Sequence, residues 1–285
     1  MSHVAKGLLS LCAGVFLVAG GARADGAAKP HVLSIGGSVT EIVYALGEED
    51  RLIARDTTSV FPLAATALAD VGYMRALSPE GVLSVAPELI LSEEGAGPPE
   101  TISALEAAAI PFIVIPDAYD GAGVIAKVLA VGEALGAQQK AQVLADDLAD
   151  KFEQAAQTIA QDTAKKRVLF ILSTQGGRIL ASGSHTAADG IIHLAGGVNA
   201  VTAFEGYKLL SDEAVAAADP DVILMMDRTD DHGVADADLW AMPAVIPTKA
   251  AANQAVVRMN GLYLLGFGPR TAQAALDLNA ALYGR

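Results

Sequence analysis

The chain has 285 residues, enough for one large domain or for two medium ones that each bury a core. A net charge of −14, with Lys and Arg scattered along the chain, argues against nucleic acid or an anionic membrane as partner. The only cysteine, Cys12, sits in an N-terminal apolar run, so the chain beyond it has no means of making a disulfide, a thiolate metal site or a cysteine nucleophile.

In chain order, residues 1–24 read as a signal peptide. Lys6 gives a positive start, "GLLSLCAGVFLVAGG" the apolar run, and "ARA" before Asp25 a small-residue cleavage site. The run falls short of the roughly 18 residues a membrane span needs, and Leu11 is bulky where a lipoprotein signal wants a small residue before the cysteine. The expectation is a periplasmic protein whose mature chain has no membrane insertion and no lipid anchor.

Strand-like runs then alternate with helical ones: "HVLSI", "RLIARD", "ELILS" and "PFIVI" in the first half, "RVLFIL", "DVILMM" and "AVVRMN" in the second. That alternation predicts an α/β fold with mainly parallel sheets covered by helices. Between the halves, residues 138–165 contain neither Gly nor Pro, and Val143, Leu144, Leu148, Phe152, Ala155, Ala156 and Ile159 recur at three- and four-residue steps. This predicts one long amphipathic helix of roughly 40 Å acting as a stiff spine. The domain reading is therefore an N-terminal lobe over 25–137, a linking helix over 138–165 and a C-terminal lobe over 166–285.

An internal repeat supports two lobes of related plan. "LSPEGVLSVAPELIL" from Leu77 and "LSDEAVAAADPDVIL" from Leu210 align without a gap. In each copy a serine, Ser78 or Ser211, is the expected helix N-cap; a glutamate, Glu80 or Glu213, lies in the first turn; and Pro87 or Pro220 ends the helix before an apolar strand. A first-turn carboxylate is favoured by the helix dipole alone, by about 0.3 to 1 kcal/mol.

Glycine-rich turns at "SIGGSVT", "EEGAGPPE", "STQGGR", "ASGSHTAADG" and "LLGFGPR" lack nucleotide-site spacing but mostly fall after strands, where open α/β sheets carry ligand loops. Neither a serine-hydrolase elbow nor a His-Glu-x-x-His pair occurs, which leaves an enzymatic reading without clustered residues. The histidines, His31, His185, His193 and His232 beyond the leader, show no metal-ligand spacing. His193 reads as a packed residue on the apolar face of "AADGIIHLAGG", whereas His185 lies in a Gly/Ser loop at a helix start, where side chains face a cleft.

The stretch "DVGYMRALSPEG" sets Tyr73 and Arg75 in a loop. Tyr73 is either an amphipathic surface residue or a phenolate ligand to ferric iron, as haem iron accepts tyrosine. A free phenol is neutral at physiological pH, and a neighbouring cation favours its ionised form. Arg75 supplies such a cation, or else pairs with a carboxylate on a ligand.

With these residues, "SIGGSVTEIVYALG", "DTTS", "GAGPPE", "GSHTAADGIIHLAGGVNA", "EGYKLLSDEA" and "LLGFGPRTAQA", the chain resembles the periplasmic haem-binding proteins that feed haem-uptake ABC transporters, from about His31 to the C-terminus. The resemblance implies two Rossmann-like lobes joined by the long helix, with ferric haem (haem b, hemin) held between them as cargo rather than as a catalytic cofactor. It implies Tyr73 as axial ligand to the haem iron, Arg75 steadying the phenolate or a propionate, and His185 as a possible haem contact from the second lobe. Glu80 and Glu213 become docking carboxylates, one per lobe, for the two permease subunits of the inner membrane. The wider class also carries cobalamin and ferric siderophores, which stand as the alternative cargo.

Overall fold

The computed structural model describes Met1 and residues 29–160, 164–227 and 234–284. The signal segment beyond Met1, with Cys12, and His232 lie outside the described residues. Among those described, no helix is long and apolar enough to cross a membrane.

The first lobe runs β1 (Val32–Ile35), α1 (Gly37–Ala45), β2 (Leu52–Arg55), β3 (Ala69–Asp70), α2 (Pro79–Leu83), β4 (Leu89–Glu93), α3 (Pro99–Glu106) and β5 (Phe112–Ile115). Its strands form one parallel sheet in the order β3-β2-β1-β4-β5. All five therefore end on one edge, and the loops leaving that edge carry Tyr73 and Arg75 after β3 and Tyr119 after β5. Two helices follow, α4 (Gly121–Ala134) and α5 (Gln138–Ile159).

The second lobe contains β6 (Arg167–Ser173), β7 (Ile179–Ser182), α6 (Ala187–Leu194), β8 (Val198–Asn199), β9 (Tyr207–Leu210), α7 (Asp212–Ala218), β10 (Val222–Asp227), α8 (Asp236–Trp240), α9 (Lys249–Ala252), β11 (Val256–Asn260), α10 (Gly261–Leu265) and α11 (Thr271–Tyr283). Its sheet has the order β11-β10-β6-β7-β9, with β8 beside β6. The β11-β10-β6 portion is parallel and β7 runs antiparallel to both its neighbours. The fold is thus the expected two-lobe α/β arrangement with mainly parallel sheets.

One apolar core runs through both lobes. The faces of the sheets that carry Val32, Leu89 and Leu91 in one lobe and Val168, Phe170 and Leu224 in the other pack onto shared helices, among them α1, α4, α5, α6 and α11. The outer faces have separate cores, around Leu33 and Ile90 in the first lobe and Ile171 and Ile223 in the second.

The spine is shorter than expected. α5 spans 22 residues, about 33 Å, where residues 138–165 were expected to be helical. Ile159, its last residue, is buried against Gly196. The spine is also not a lone rod, since α4 lies along it with Gly132 against Ala141; a methyl group on that glycine would collide with the alanine.

Polar links add to the shared core. The fully buried Lys127 Nζ donates to Glu93 Oε1 at 2.9 Å, Asp117 Oδ1 at 2.7 Å and Ser38 Oγ at 3.0 Å, and reaches the second-lobe Gly266 carbonyl at 3.4 Å. Arg270, from the second lobe, holds both oxygens of the buried Glu41 carboxylate at 2.9 and 2.8 Å, with its guanidinium 3.5 Å above the Phe61 ring.

The sequence repeat is a repeat in three dimensions. Ser78 Oγ accepts the Gly81 N–H at 3.0 Å and Ser211 Oγ the Ala214 N–H at 3.2 Å, so both serines are N-caps. Val82 and Val215 are each fully buried, and Ala86 and Asp219 both take positive φ before the proline. The next acidic residue then clamps the neighbouring strand: Glu88 accepts the His31 N–H at 2.7 Å, and Asp221 accepts the Arg167 N–H at 2.8 Å.

Candidate functional site

The loop after β3 is pinned at both ends, which fixes what its middle can do. Asp70 accepts the Gly72 N–H at 2.9 Å and the Arg55 guanidinium at 2.8 Å, and Gly72 takes φ +100, a conformation glycine adopts without strain. Further on, Gly97 donates to the Met74 carbonyl and Leu77 to the Gly97 carbonyl. Met74 and Leu77 are buried in the outer core beneath, so the intervening Tyr73 and Arg75 point outward, with Tyr73 44% exposed.

These two side chains meet. Arg75 Nη1 donates to Tyr73 Oη at 3.1 Å. Burial works against the Arg75 charge, but the Tyr73 hydrogen bond and the nearby phenols of Tyr73, Tyr119 and Tyr207 outweigh it and raise the arginine pKa. Arg75 thus lies within electrostatic reach of tyrosines from both lobes.

Tyr119 and Tyr207 were not singled out from the sequence. Tyr119 is half-buried, with its ring edge-to-face on Phe267 at 5.4 Å. Burial and the Asp117 carboxylate push its hydroxyl up to about 12, so it is a neutral phenol at physiological pH. Its backbone touches α6 of the other lobe so closely that a methyl group on Gly190 would collide with the Tyr119 carbonyl. Tyr207 opens β9 and packs edge-to-face on Phe170 at 6.4 Å. Burial raises its pKa too, against the opposing pull of Thr186, the Ala188 N–H and Arg75. The signal for both was in the sequence, an aromatic in the loop after "PFIVI" and another in the "EGYKLLSDEA" stretch that carries the family resemblance.

His185 lies beside the start of α6, as expected, with Thr186 as the N-cap and φ of +56 at the histidine. Its imidazole Nδ1 stands 3.3 Å from Glu205 Oε1, and the side chain is 77% exposed. His193 differs from the expectation: it is exposed and faces Asp189 at 3.4 Å, because Ile191 and Ile192 take the buried face of α6.

Glu80 and Glu213 stand exposed in the first turns of α2 and α7. Glu213 is held below the usual carboxylate range by its own backbone N–H and by the Ser211 hydroxyl.

The site therefore offers one exposed phenol oxygen bound to a guanidinium, neutral phenols on both lobes, and, among the described residues, no cluster of three or more His, Cys, Asp or Glu able to hold a bare metal ion.

Residues 32–261 match the family described as periplasmic binding protein. The chain belongs to that family. It is similar to the solved periplasmic haem-binding protein BhuT in complex with two haems, at 37% identity over 89% of this chain and 97% of that one, with a TM-score of 0.84. It is also similar to the apo periplasmic haem-binding protein RhuT from Roseiflexus sp. RS-1, at 34% identity over 89% of this chain and 98% of that one, with a TM-score of 0.85. Among curated relatives, a vitamin B12-binding protein of Yersinia pestis is 26% identical over 255 residues, covering 88% of this chain and 85% of that protein.

Proposed function

We propose that this protein captures ferric haem between its lobes in the periplasm and delivers it to the permease dimer of an ABC transporter. The observation that carries this reading is the 3.1 Å contact between Arg75 and the exposed Tyr73 hydroxyl. A phenol oxygen is a hard donor of the kind haem iron accepts, and the guanidinium beside it can pair with a carboxylate on the ligand. Tyr73 is then the axial ligand and Arg75 its support or a propionate partner, with His185 on the second-lobe rim as a further contact. The lobes are residues 25–137 and 166–285, each presenting one docking glutamate, Glu80 or Glu213, to one permease subunit. No bond of the cargo is made or broken, so the protein is a carrier rather than an enzyme.

The B12-binding relative favours cobalamin as the second reading, at lower identity than the two haem-binding structures. Hemin titration of the purified protein separates the two. The expected result is a high-spin, tyrosinate-type ferric spectrum that Tyr73→Ala abolishes. Tight cobalamin binding without hemin uptake overturns the haem reading, and an unchanged spectrum in the variant removes Tyr73 from the iron.

A further inference from the structure

In the second lobe, Tyr207 packs on Phe170, a residue of the core shared with the first lobe. The segment 203–206 is clasped to the loop before α6 by Gly183 N–H to Gly206 carbonyl at 2.8 Å, Ser184 N–H to Phe204 carbonyl at 2.9 Å and Gly206 N–H to Ser184 carbonyl at 3.0 Å. Gly183 admits no side chain, because a methyl group there would collide with the Phe204 carbonyl. The clasp delivers the chain into β9, whose first residue, Tyr207, pairs in register with Ser182.

On this edge strand Tyr207 lies over Phe170, and Phe170 belongs to the sheet face that shares its core with the first lobe. The ring is thus held edge-to-face against Phe170, yet the residue remains 37% exposed. Leu209, two positions along and so on the same face of β9, is 48% exposed and extends the apolar strip. Across the lobes stands Arg75, hydrogen-bonded to Tyr73.

We propose that Tyr207 is the second-lobe platform of the binding site, a fixed aromatic ring with Leu209 beside it, against which the flat tetrapyrrole lies while Tyr73 takes the iron from the first lobe. This rests on the haem reading above. A rigid ring suits that task because it presents area with little rotamer entropy to lose on binding, and its aromatic face stacks on any conjugated macrocycle. His185, exposed beside Glu205, is rim to this platform rather than part of it.

The test uses full-length mature protein and hemin, with affinity read at the Soret band and ring contact read from the circular dichroism the protein induces in that band. Tyr207→Leu keeps apolar volume over Phe170 and removes the ring. It is expected to weaken hemin binding roughly three- to tenfold and to change the induced dichroism, with the tyrosinate-type absorption retained because Tyr73 is intact. Tyr207→Phe keeps the ring and is expected to stay within about twofold of wild type, which also controls for folding. Wild-type affinity and dichroism in Tyr207→Leu overturn the platform and leave the haem reading standing. Equal losses in Tyr207→Leu and Tyr207→Phe assign the effect to the hydroxyl and overturn it as well. Absence of hemin uptake by the unmodified protein overturns both.

Discussion

Lys127→Met tests the buried link that joins the lobes. Methionine fills the lysine channel with an uncharged chain of similar length, so packing is largely kept while the ammonium is lost. The wild-type ammonium is fully buried and donates to Glu93 at 2.9 Å and Asp117 at 2.7 Å. Removing one partner of such a cluster leaves an uncompensated buried carboxylate, at a cost of about 3–5 kcal/mol. Glu93 already has a raised pKa, with burial the larger cause and Lys127 pulling the other way, so loss of Lys127 drives it higher still. A carboxylate whose folded pKa exceeds its unfolded one binds a proton in the folded state that the unfolded chain has released. Its stabilisation is full below the unfolded value and is lost as pH rises through the folded value, at about 1.4 kcal/mol per pH unit. The variant should therefore fall further behind wild type as pH rises, the gap opening between the two folded-state values. Guanidinium unfolding followed by far-ultraviolet circular dichroism at pH 5, 6.5 and 8 measures this. A deficit that does not change with pH, or one below about 1 kcal/mol at pH 8, refutes the reasoning.

Arg75→Leu removes a charge-assisted hydrogen bond to Tyr73, worth about 1.5–3 kcal/mol, and should weaken hemin binding roughly ten- to a hundredfold in a Soret titration. The pair Glu80→Ala with Glu213→Ala should leave hemin affinity unchanged and slow haem transport in vesicles reconstituted with the permease; normal transport would return both residues to helix-dipole compensation alone. Because Glu213 is held below the usual carboxylate range, it keeps its charge on acidification, and the single variant Glu80→Ala should transport equally well at pH 5.5 and pH 7.

The parts of the fold legible in the sequence were those where one physical cause dominates. The runs "HVLSI", "ELILS", "RVLFIL" and "DVILMM" became β1, β4, β6 and β10, strands inside parallel sheets whose residues are buried on both faces and therefore almost wholly apolar. β3 has two residues, β8 has two, and β9 opens with three exposed residues at a sheet edge, so none carries a period or an apolar run to detect. α5 was legible as a helix from its periodic apolar face, but its end was not, because the stopping point depends on Ile159 meeting Gly196 from a distant part of the chain. The site divides the same way. Tyr73 and Arg75 lie two residues apart and share a loop, so their contact is local. Tyr207 and Tyr119 reach the same place only through the folding of two lobes, and no spacing along the chain expresses that.

The repeat connects the fold to the delivery proposed above. In each lobe the glutamate of the first helical turn and the carboxylate that clamps the neighbouring strand are separated by the same number of residues, through a capped helix, a buried valine and a left-handed residue before proline. The clamp fixes where each helix sits on its sheet, so Glu80 and Glu213 emerge at equivalent places on related units. Cap and dipole explain why a carboxylate is tolerated there, and they would be satisfied equally by other first-turn sequences. They do not require both copies to leave that carboxylate exposed. The two-subunit partner proposed above would use both, and a continuous core with buried Lys127 and Arg270 links ties together the lobes that carry them.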